Sequence, residues 1–252
     1  MLALERHRHI IDLVQAQGSI RTGEVASSLN VTEETIRRDL EKLESDGQLV
    51  RTHGGALVTE KHRRELPFYE REGTLMEEKR RMAEAALRRI EAGDTIAVDA
   101  SSTALQLVKL LPDMPLTVLT NAMQVVVELS TREQVKVIST GGLLQHGSLS
   151  FNGALAEMAL ERYHVNRLFF SCRGVDPVRG LSEAHDEGAR LKRKMLELAD
   201  EAILLADHSK LGLRSSFYFA GVGEADLLLT DAGADRSVVG DLEKAGLKVQ
   251  IV

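Results

Sequence analysis

Two groups of residues in this 252-residue chain have types and spacings that could do chemistry. The first is Thr35-Ile36-Arg37-Arg38, with Lys42 one turn further on. A guanidinium is a planar, permanently charged fork that matches guanine O6 and N7, or a phosphate. The second is a series of polar clusters, each closing a short apolar run: Asp99-Ala100-Ser101-Ser102-Thr103, Thr120-Asn121, Ser139-Thr140-Gly141-Gly142, Ser171-Cys172-Arg173-Gly174-Val175-Asp176 and Asp207-His208-Ser209-Lys210. Hydroxyls and backbone N–H groups opening a helix make a phosphate cradle. Lys192 and Lys210 could add positive charge to it, and Asp99, Asp176, Asp186 and Glu187 are carboxylates available for acid/base work.

The elements that position the first group are helical. Leu4, Ile10, Ile11, Leu13 and Val14 recur at helical spacing up to Gln17, where Gly18 stops the helix. After the link Ser19-Ile20-Arg21, Thr22 is placed to cap a second helix carrying Val25, Ala26 and Leu29. Asn30-Val31 turns the chain, and Thr32 caps a third helix with Glu33 and Glu34 in its first turn, where the helix dipole favours negative charge. Ile36, Leu40 and Leu43 form the buried stripe of that helix, leaving Thr35, Arg37, Arg38 and Lys42 off it. Asp46-Gly47 ends it, and residues 48–56 read as a hairpin with a glycine tip. Helix, turn, helix and wing form a winged helix-turn-helix, whose second motif helix enters the major groove. The DNA-facing set is Arg21, Thr32, Thr35, Arg37, Arg38, Lys42, Arg51 and His53.

At Val31-Thr32-Glu33-Glu34-Thr35-Ile36-Arg37-Arg38-Asp39-Leu40, followed by Leu43, Gly47 and Arg51-Thr52-His53-Gly54-Gly55-Ala56, the sequence resembles the DeoR family of bacterial transcription regulators. The resemblance extends over nearly the whole chain. Pro67-Phe68-Tyr69-Glu70-Arg71 is similar to the segment joining the family's two domains.

From Glu77 onward short Val/Ile/Leu runs alternate with helical stretches. Strands are expected at 95–100, 116–120, 135–139, 167–171, 202–206, 225–230 and 248–252. Helices are expected at 77–90, 103–111, 122–130, 154–162, 187–200 and 237–245. This predicts an α/β domain with a mainly parallel sheet covered on both faces, whose ligand sits outside the carboxyl ends of the strands. The expected organisation is a DNA-binding head at 1–56, a charged linker at 57–76 with a basic cluster Lys61-His62-Arg63-Arg64, and an effector domain at 77–252.

The resemblance implies that the second domain has a sugar-phosphate isomerase-like fold and senses a phosphorylated sugar. It maps the effector set onto Asp99, Ser101, Ser102, Thr103, Thr120, Asn121, Gly141, Gly142, Asp176, Glu187, Lys192 and Lys210. Two departures fall among those positions. Ala100-Ser101-Ser102-Thr103 replaces the Gly-Thr-Thr of many members, and Ser182-Glu183-Ala184-His185 replaces a Thr-Thr-Pro-Asn.

Composition sets the bounds. Hydrophobic residues make up 43% and charged residues 28%, enough for packed cores. A single cysteine, Cys172, allows no internal disulfide and fits a reducing, cytoplasmic setting. The first residues have no secretory pattern, and no run approaches the roughly 18 apolar residues of a membrane helix. Net charge is −6, and residues 1–56 hold seven Lys or Arg against nine Asp or Glu, so a DNA reader here works through local pattern. His7 and His9 are poorly spaced for a shared metal, and no Gly-x-Gly-x-x-Gly or Walker loop occurs, so neither metal nor cofactor is expected. The expected function is a homo-oligomeric (dimer or tetramer), sugar-phosphate-responsive regulator bound to double-stranded DNA. Repressor is favoured over activator, and an isomerase-like enzyme is the remaining alternative.

Overall fold

The computed structural model describes residues 3–17, 19–45, 48–52, 54–58 and 66–252, and the chain divides into two compact units, 1–66 and 67–252. Gly18, Asp46, Gly47, His53 and Lys61-His62-Arg63-Arg64 lie outside the described residues.

In the first unit, helices α1 (Ala3–Gln17), α2 (Thr22–Leu29) and α3 (Glu33–Ser45) pack Ile10, Val14, Val25, Ala26, Ile36, Leu40 and Leu43 into one core. The hairpin expected at 48–56 is β2 (Leu49–Thr52) and β3 (Gly55–Val58). The link Ser19–Arg21 is itself a strand, β1, paired antiparallel with β3 in the order β1-β3-β2. That pairing explains Gly55, because a Cβ there would lie 1.8 Å from the Ile20 carbonyl oxygen. Thr22 is not the cap of α2, as its spacing suggested. It is the helix's first residue, buried, with its N–H donated to Gly54 O at 2.9 Å. Thr32 does cap α3, its Oγ1 accepting from Thr35 N at 3.2 Å.

The second unit opens with α4 (Phe68–Glu72), inside the stretch expected as linker. Phe68 is buried, its N–H donates to Gly147 O, and its ring carries the Arg71 guanidinium at 5.7 Å. Helices α5 (Met76–Leu87), α6 (Ser102–Leu110), α7 (Met123–Leu129), α8 (Ala154–Leu160), α9 (Asp186–Glu197) and α10 (Arg236–Lys244) alternate with the strands. All seven expected strands form one parallel sheet: β4 (Thr95–Val98), β5 (Leu116–Thr120), β6 (Val135–Ser139), β9 (Val165–Phe170), β12 (Ala199–Leu205), β14 (Leu227–Thr230) and β15 (Lys248–Ile251). Their order is β15-β14-β12-β9-β4-β5-β6. Side chains alternate between two cores, as the period of a strand requires. Ile96, Val98, Phe169, Ile203 and Leu205 face α5, α6 and α7, while Ala97, Leu168, Phe170 and Leu204 face α8, α9 and α10.

Two small sheets were not legible in the sequence: the hairpin β7 (Leu143–Gln145) and β8 (Ser150–Asn152), and an antiparallel set of β10 (Gly174–Asp176), β11 (Gly180–Glu183) and β13 (Phe217–Ala220). All strands run parallel, but the order in which they are added to the sheet reverses between β4 and β9, with β5 and β6 on one side and β9, β12, β14 and β15 on the other. In such sheets ligands bind at that switch point, beyond the carboxyl ends.

Candidate functional sites

The reading face of the first unit follows from α3. With Ile36, Leu40 and Leu43 buried, Arg37, Arg38 and Lys42 are left exposed. Arg21, Arg37 and Arg51 line one groove of about 840 Å³ with Glu33, Glu44 and Gly54. The Thr32 and Thr35 hydroxyls bond each other at 2.9 Å at the helix start. Spacing alone hid one member of this face's support, since Asp39 is buried. Its carboxylate accepts from Arg6 Nε and, at 3.0 Å, Arg6 Nη2, and meets His7 Nε2 at 2.9 Å, tying α3 to α1. Burial works to raise the Asp39 carboxyl, but Arg6 and His7 outweigh it and hold its pKa below the ordinary value.

At the switch point of the second unit, Asp99 follows β4 and is 1% exposed. Its Oδ1 accepts from Ser101 Oγ at 2.6 Å and Ser101 N at 3.2 Å. Its Oδ2 accepts from Ser171 N at 3.2 Å and meets Lys192 Nζ at 2.7 Å. Asp99 therefore joins the ends of β4 and β9 to α9. Lys192 is gripped from its other side by Glu183 Oε1 at 2.7 Å and also donates to Ser171 O. Burial alone would lower the Lys192 pKa, yet Asp99 and Glu183 prevail and raise it above the lysine range, fixing the charge. Glu183, at the end of β11, was not among the expected residues. The expected Glu187 is exposed on α9, with no ion pair among the described residues.

A second lysine-bearing group lies beside this one. Lys210, in the turn after β12, donates to Ser171 Oγ at 2.7 Å and Thr103 Oγ1 at 3.4 Å, and has Asp207 Oδ2 at 3.6 Å. Burial tends to raise the Asp207 carboxyl pKa, but Lys210, the Ser209 hydroxyl and Lys79 hold it below its ordinary value. Lys79 was missed by sequence reasoning. It is 4% exposed on α5, donates to Ser102 Oγ at 3.3 Å and to Arg71 O, and makes no ion pair among the described residues. Burial, with Lys210 nearby, pulls its pKa down to about 8. Ser101 Oγ caps α6 by accepting Ala104 N, which leaves the Ser102 and Thr103 amides as the open donors of the first turn.

The remaining expected residues divide. Thr120 Oγ1 accepts from Ala122 N and donates to Val98 O, bracing the end of β5 next to Asp99. Asn121 is buried with Nδ2 on Phe151 O, while its Oδ1, like that of buried Asn152, has no hydrogen-bond partner among the described residues. Gly142 sits at φ +114°, where a Cβ would lie 2.6 Å from Asn152 O, and Gly141 takes the Ser139 hydroxyl on its N–H. Asp176 is not brought to the lysines by any contact. It accepts from Val178 N, Arg179 N and Arg214 Nε, holding the β10–β11 turn. Cys172 is buried, its thiol pushed up to about 12, first by burial and then by Glu183. Among the described residues no group of three or more His, Cys, Asp or Glu is placed to hold a metal, and no helix is long and apolar enough to cross a membrane.

Comparison with known proteins matches both units. Residues 6–62 fit the DeoR-like helix-turn-helix domain and residues 74–232 the DeoR C terminal sensor domain. The chain is 46% identical over 252 residues to the HTH-type transcriptional regulator YulB of Bacillus subtilis, covering 100% of this chain and 98% of that one. It is 33% identical over 247 residues to the transcriptional repressor GlcR of the same organism, with 98% and 95% covered. It is 36% identical over 239 residues to the L-fucose operon activator of Haemophilus influenzae, with 95% and 94% covered. With its arginine-bearing third helix inside the matched head and most of its second unit matched by the sensor domain, the chain belongs to the DeoR family of transcriptional regulators.

Proposed function

We propose that this regulator is a repressor of a carbohydrate-utilisation operon, controlled by a phosphorylated sugar bound at the β4–β9 switch point. The observation that carries this reading is the Lys79–Lys210 group. Two lysines converge on the Ser102 and Thr103 hydroxyls at the open N-terminal turn of α6 and on the Ser171 hydroxyl at the end of β9, with Asp207 as the single carboxylate paired to them among the described residues. One net positive charge beside free backbone donors suits a phosphate dianion. The neighbouring Asp99–Lys192–Glu183 group has the opposite net charge and suits hydroxyls, as do the Asn121 and Asn152 Oδ1 atoms, which have no hydrogen-bond partner among the described residues. The effector contacts fall to Ser102, Thr103, Asn121, Lys79 and Lys210. Asp99, Ser101, Thr120, Gly141, Gly142 and Lys192 shape the cradle, whereas Asp176 and Glu187, with no hydrogen bond or ion pair to these groups among the described residues, are left out of it.

The head reads duplex DNA with Arg21, Thr35, Arg37, Arg38, Lys42 and Arg51. One winged helix makes too few contacts for operator-level specificity, so a homo-oligomer, dimer or tetramer, places two heads on repeated half-sites. The functional division is a head within 1–66 and a sensor within 67–252, acting in the cytoplasm without enzymatic turnover. Repression is supported by the relative GlcR, named a repressor, and activation by the fucose relative, named an activator. The effector acts through its difference in affinity between DNA-competent and DNA-incompetent states.

The test is calorimetry of the full-length protein with ribose 5-phosphate, glucose 6-phosphate and fructose 1-phosphate, against the unphosphorylated sugars and inorganic phosphate. At least one sugar phosphate binds, its parent sugar does not, and Lys210→Met abolishes the heat. Binding of the parent sugar with equal affinity, or conversion of the sugar phosphate to product, overturns the reading.

A further inference from the structure

Three arginines of the reading face are already occupied by carboxylates of that face. Arg37 Nη2 lies 3.0 Å from Glu33 Oε2, and its Nη1 lies 4.0 Å from Glu34 Oε2. Arg38 Nε lies 3.4 Å from Glu34 Oε1, so one carboxylate serves both reading arginines. Arg51 Nη1 lies 2.9 Å from Glu41 Oε1, and Glu44 takes the Arg51 backbone N–H at 2.8 Å. All these side chains are a third or more exposed, so each pair is weak, worth no more than about fivefold in an equilibrium constant. Weak pairs are easily exchanged, but only for something that serves an arginine as well as a carboxylate does.

We infer that Glu33, Glu34 and Glu41 are specificity-determining residues of the head, internal competitors for the arginines that operator bases displace and random-sequence phosphates do not. A phosphate approaching Arg37 or Arg38 must also approach the Glu33 and Glu34 carboxylates at short range, and like charges repel. A guanine edge presents two neutral acceptors in the geometry of the guanidinium fork and meets no such repulsion. The penalty therefore falls mainly on the sequence-independent mode, which is almost wholly electrostatic. Discrimination built by repelling the wrong partner is as effective as discrimination built by attracting the right one. The inference rests on the DNA-binding role of the head and is independent of any effector.

Glu24 supplies the control. It lines the same groove but makes no ion pair among the described residues. Full-length Glu33→Gln, Glu34→Gln, Glu41→Gln and Glu24→Gln proteins are titrated at 0.1 M salt onto two duplexes. One is a random sequence, and the other is a site enriched from a random pool by the wild-type protein. Unchanged melting temperatures establish that each variant is folded. The expected result is that Glu34→Gln binds random DNA about 3- to 10-fold more tightly. Its enriched-site affinity changes by less than about twofold, and the random-DNA salt dependence steepens. Glu33→Gln and Glu41→Gln follow in the same direction with smaller effects, and Glu24→Gln changes random-DNA affinity by less than about twofold. Equal tightening on both duplexes, no tightening on either, or a Glu24→Gln effect as large as that of Glu34→Gln overturns the inference.

Discussion

The ammonium of Lys79 lies 3.3 Å from the Ser102 hydroxyl, so a buried cation from α5 is delivered to the first turn of α6 with no carboxylate paired to it among the described residues. A helix N-terminus already repels a cation. The arrangement therefore costs the sensor unit stability, a cost that the proposed anion site would offset.

That relationship sets a pH dependence. Lys79 titrates at about 8 in the free protein, and a bound dianion raises that value. Effector affinity should therefore hold from pH 7 to about 8 and fall beyond it, by up to about tenfold per pH unit for one proton. The second ionisation of the phosphate, near pH 6, lies outside this window. Calorimetry with the bound sugar phosphate from pH 7 to 9.5 reads the fall. Lys79→Met should bind weakly at pH 7 and show no further fall up to pH 9.5. A flat wild-type profile removes Lys79 from the site.

The same shift has a stability consequence of opposite sense. The folded-state pKa lies below the ordinary lysine value of 10.5, so the charged form is disfavoured on folding. The cost is complete below about 8 and disappears as the pH rises through 10.5. Lys79→Met should therefore melt higher than wild type at pH 7 without effector, with the gap closing above pH 10. Equal melting at pH 7 would mean that the buried charge is compensated.

Lys79 also shows where the sequence stops being legible. It stands in Glu77-Glu78-Lys79-Arg80-Arg81, which reads as a solvated face, and only the packing of α5 on α6 buries it. Asp39, within Arg37-Arg38-Asp39, is similar: its burial depends on Arg6, 33 residues away. Glu183 lies on a strand of four residues, too short to leave a periodic signal. The inner parallel strands were readable because each carries a near-continuous apolar run buried on both faces, and the edge strands β6 and β15 because they still alternate apolar with polar residues. α3 was readable because Ile36, Leu40 and Leu43 keep helical spacing. Local pattern specifies elements and edges, whereas the partners of a buried charge are set by which elements pack together.

The Arg6–Asp39–His7 cluster ties α1 to α3, and removing it should destabilise the head. Asp39→Ala leaves a part-buried guanidinium without its counter-ion and should cost about 3–5 kcal/mol. A unit of this size has little to spare. The folded-state Asp39 pKa is depressed, so the wild-type contribution is complete above the ordinary aspartate value of 3.8 and is lost as pH falls through the folded value. Acid titration followed by circular dichroism should show Asp39→Asn with a smaller loss than wild type across that range.

Gly55 tests the three-stranded wing. A Cβ at this position would lie 1.8 Å from Ile20 O, a backbone atom that cannot swing aside. Gly55→Ala should break the β1–β3 pairing, lower the melting temperature of the head and weaken DNA binding. Gly54→Ala, which meets nothing within 4 Å, should do neither.

The central claim is that Arg37 and Arg38 read an operator under control of a sugar phosphate held by Lys79 and Lys210. The most direct measurement is equilibrium binding of full-length protein to the duplex it enriches from a random pool, with and without the sugar phosphate found by calorimetry. Wild type should bind, and saturating effector should shift its affinity at least fivefold. Arg37→Ala and Arg38→Ala should each lose about 1–3 kcal/mol of operator binding while melting like wild type. Lys210→Met should bind the operator normally and ignore the effector. If both arginine variants bind like wild type, or Lys210→Met keeps a full effector response, the account is contradicted.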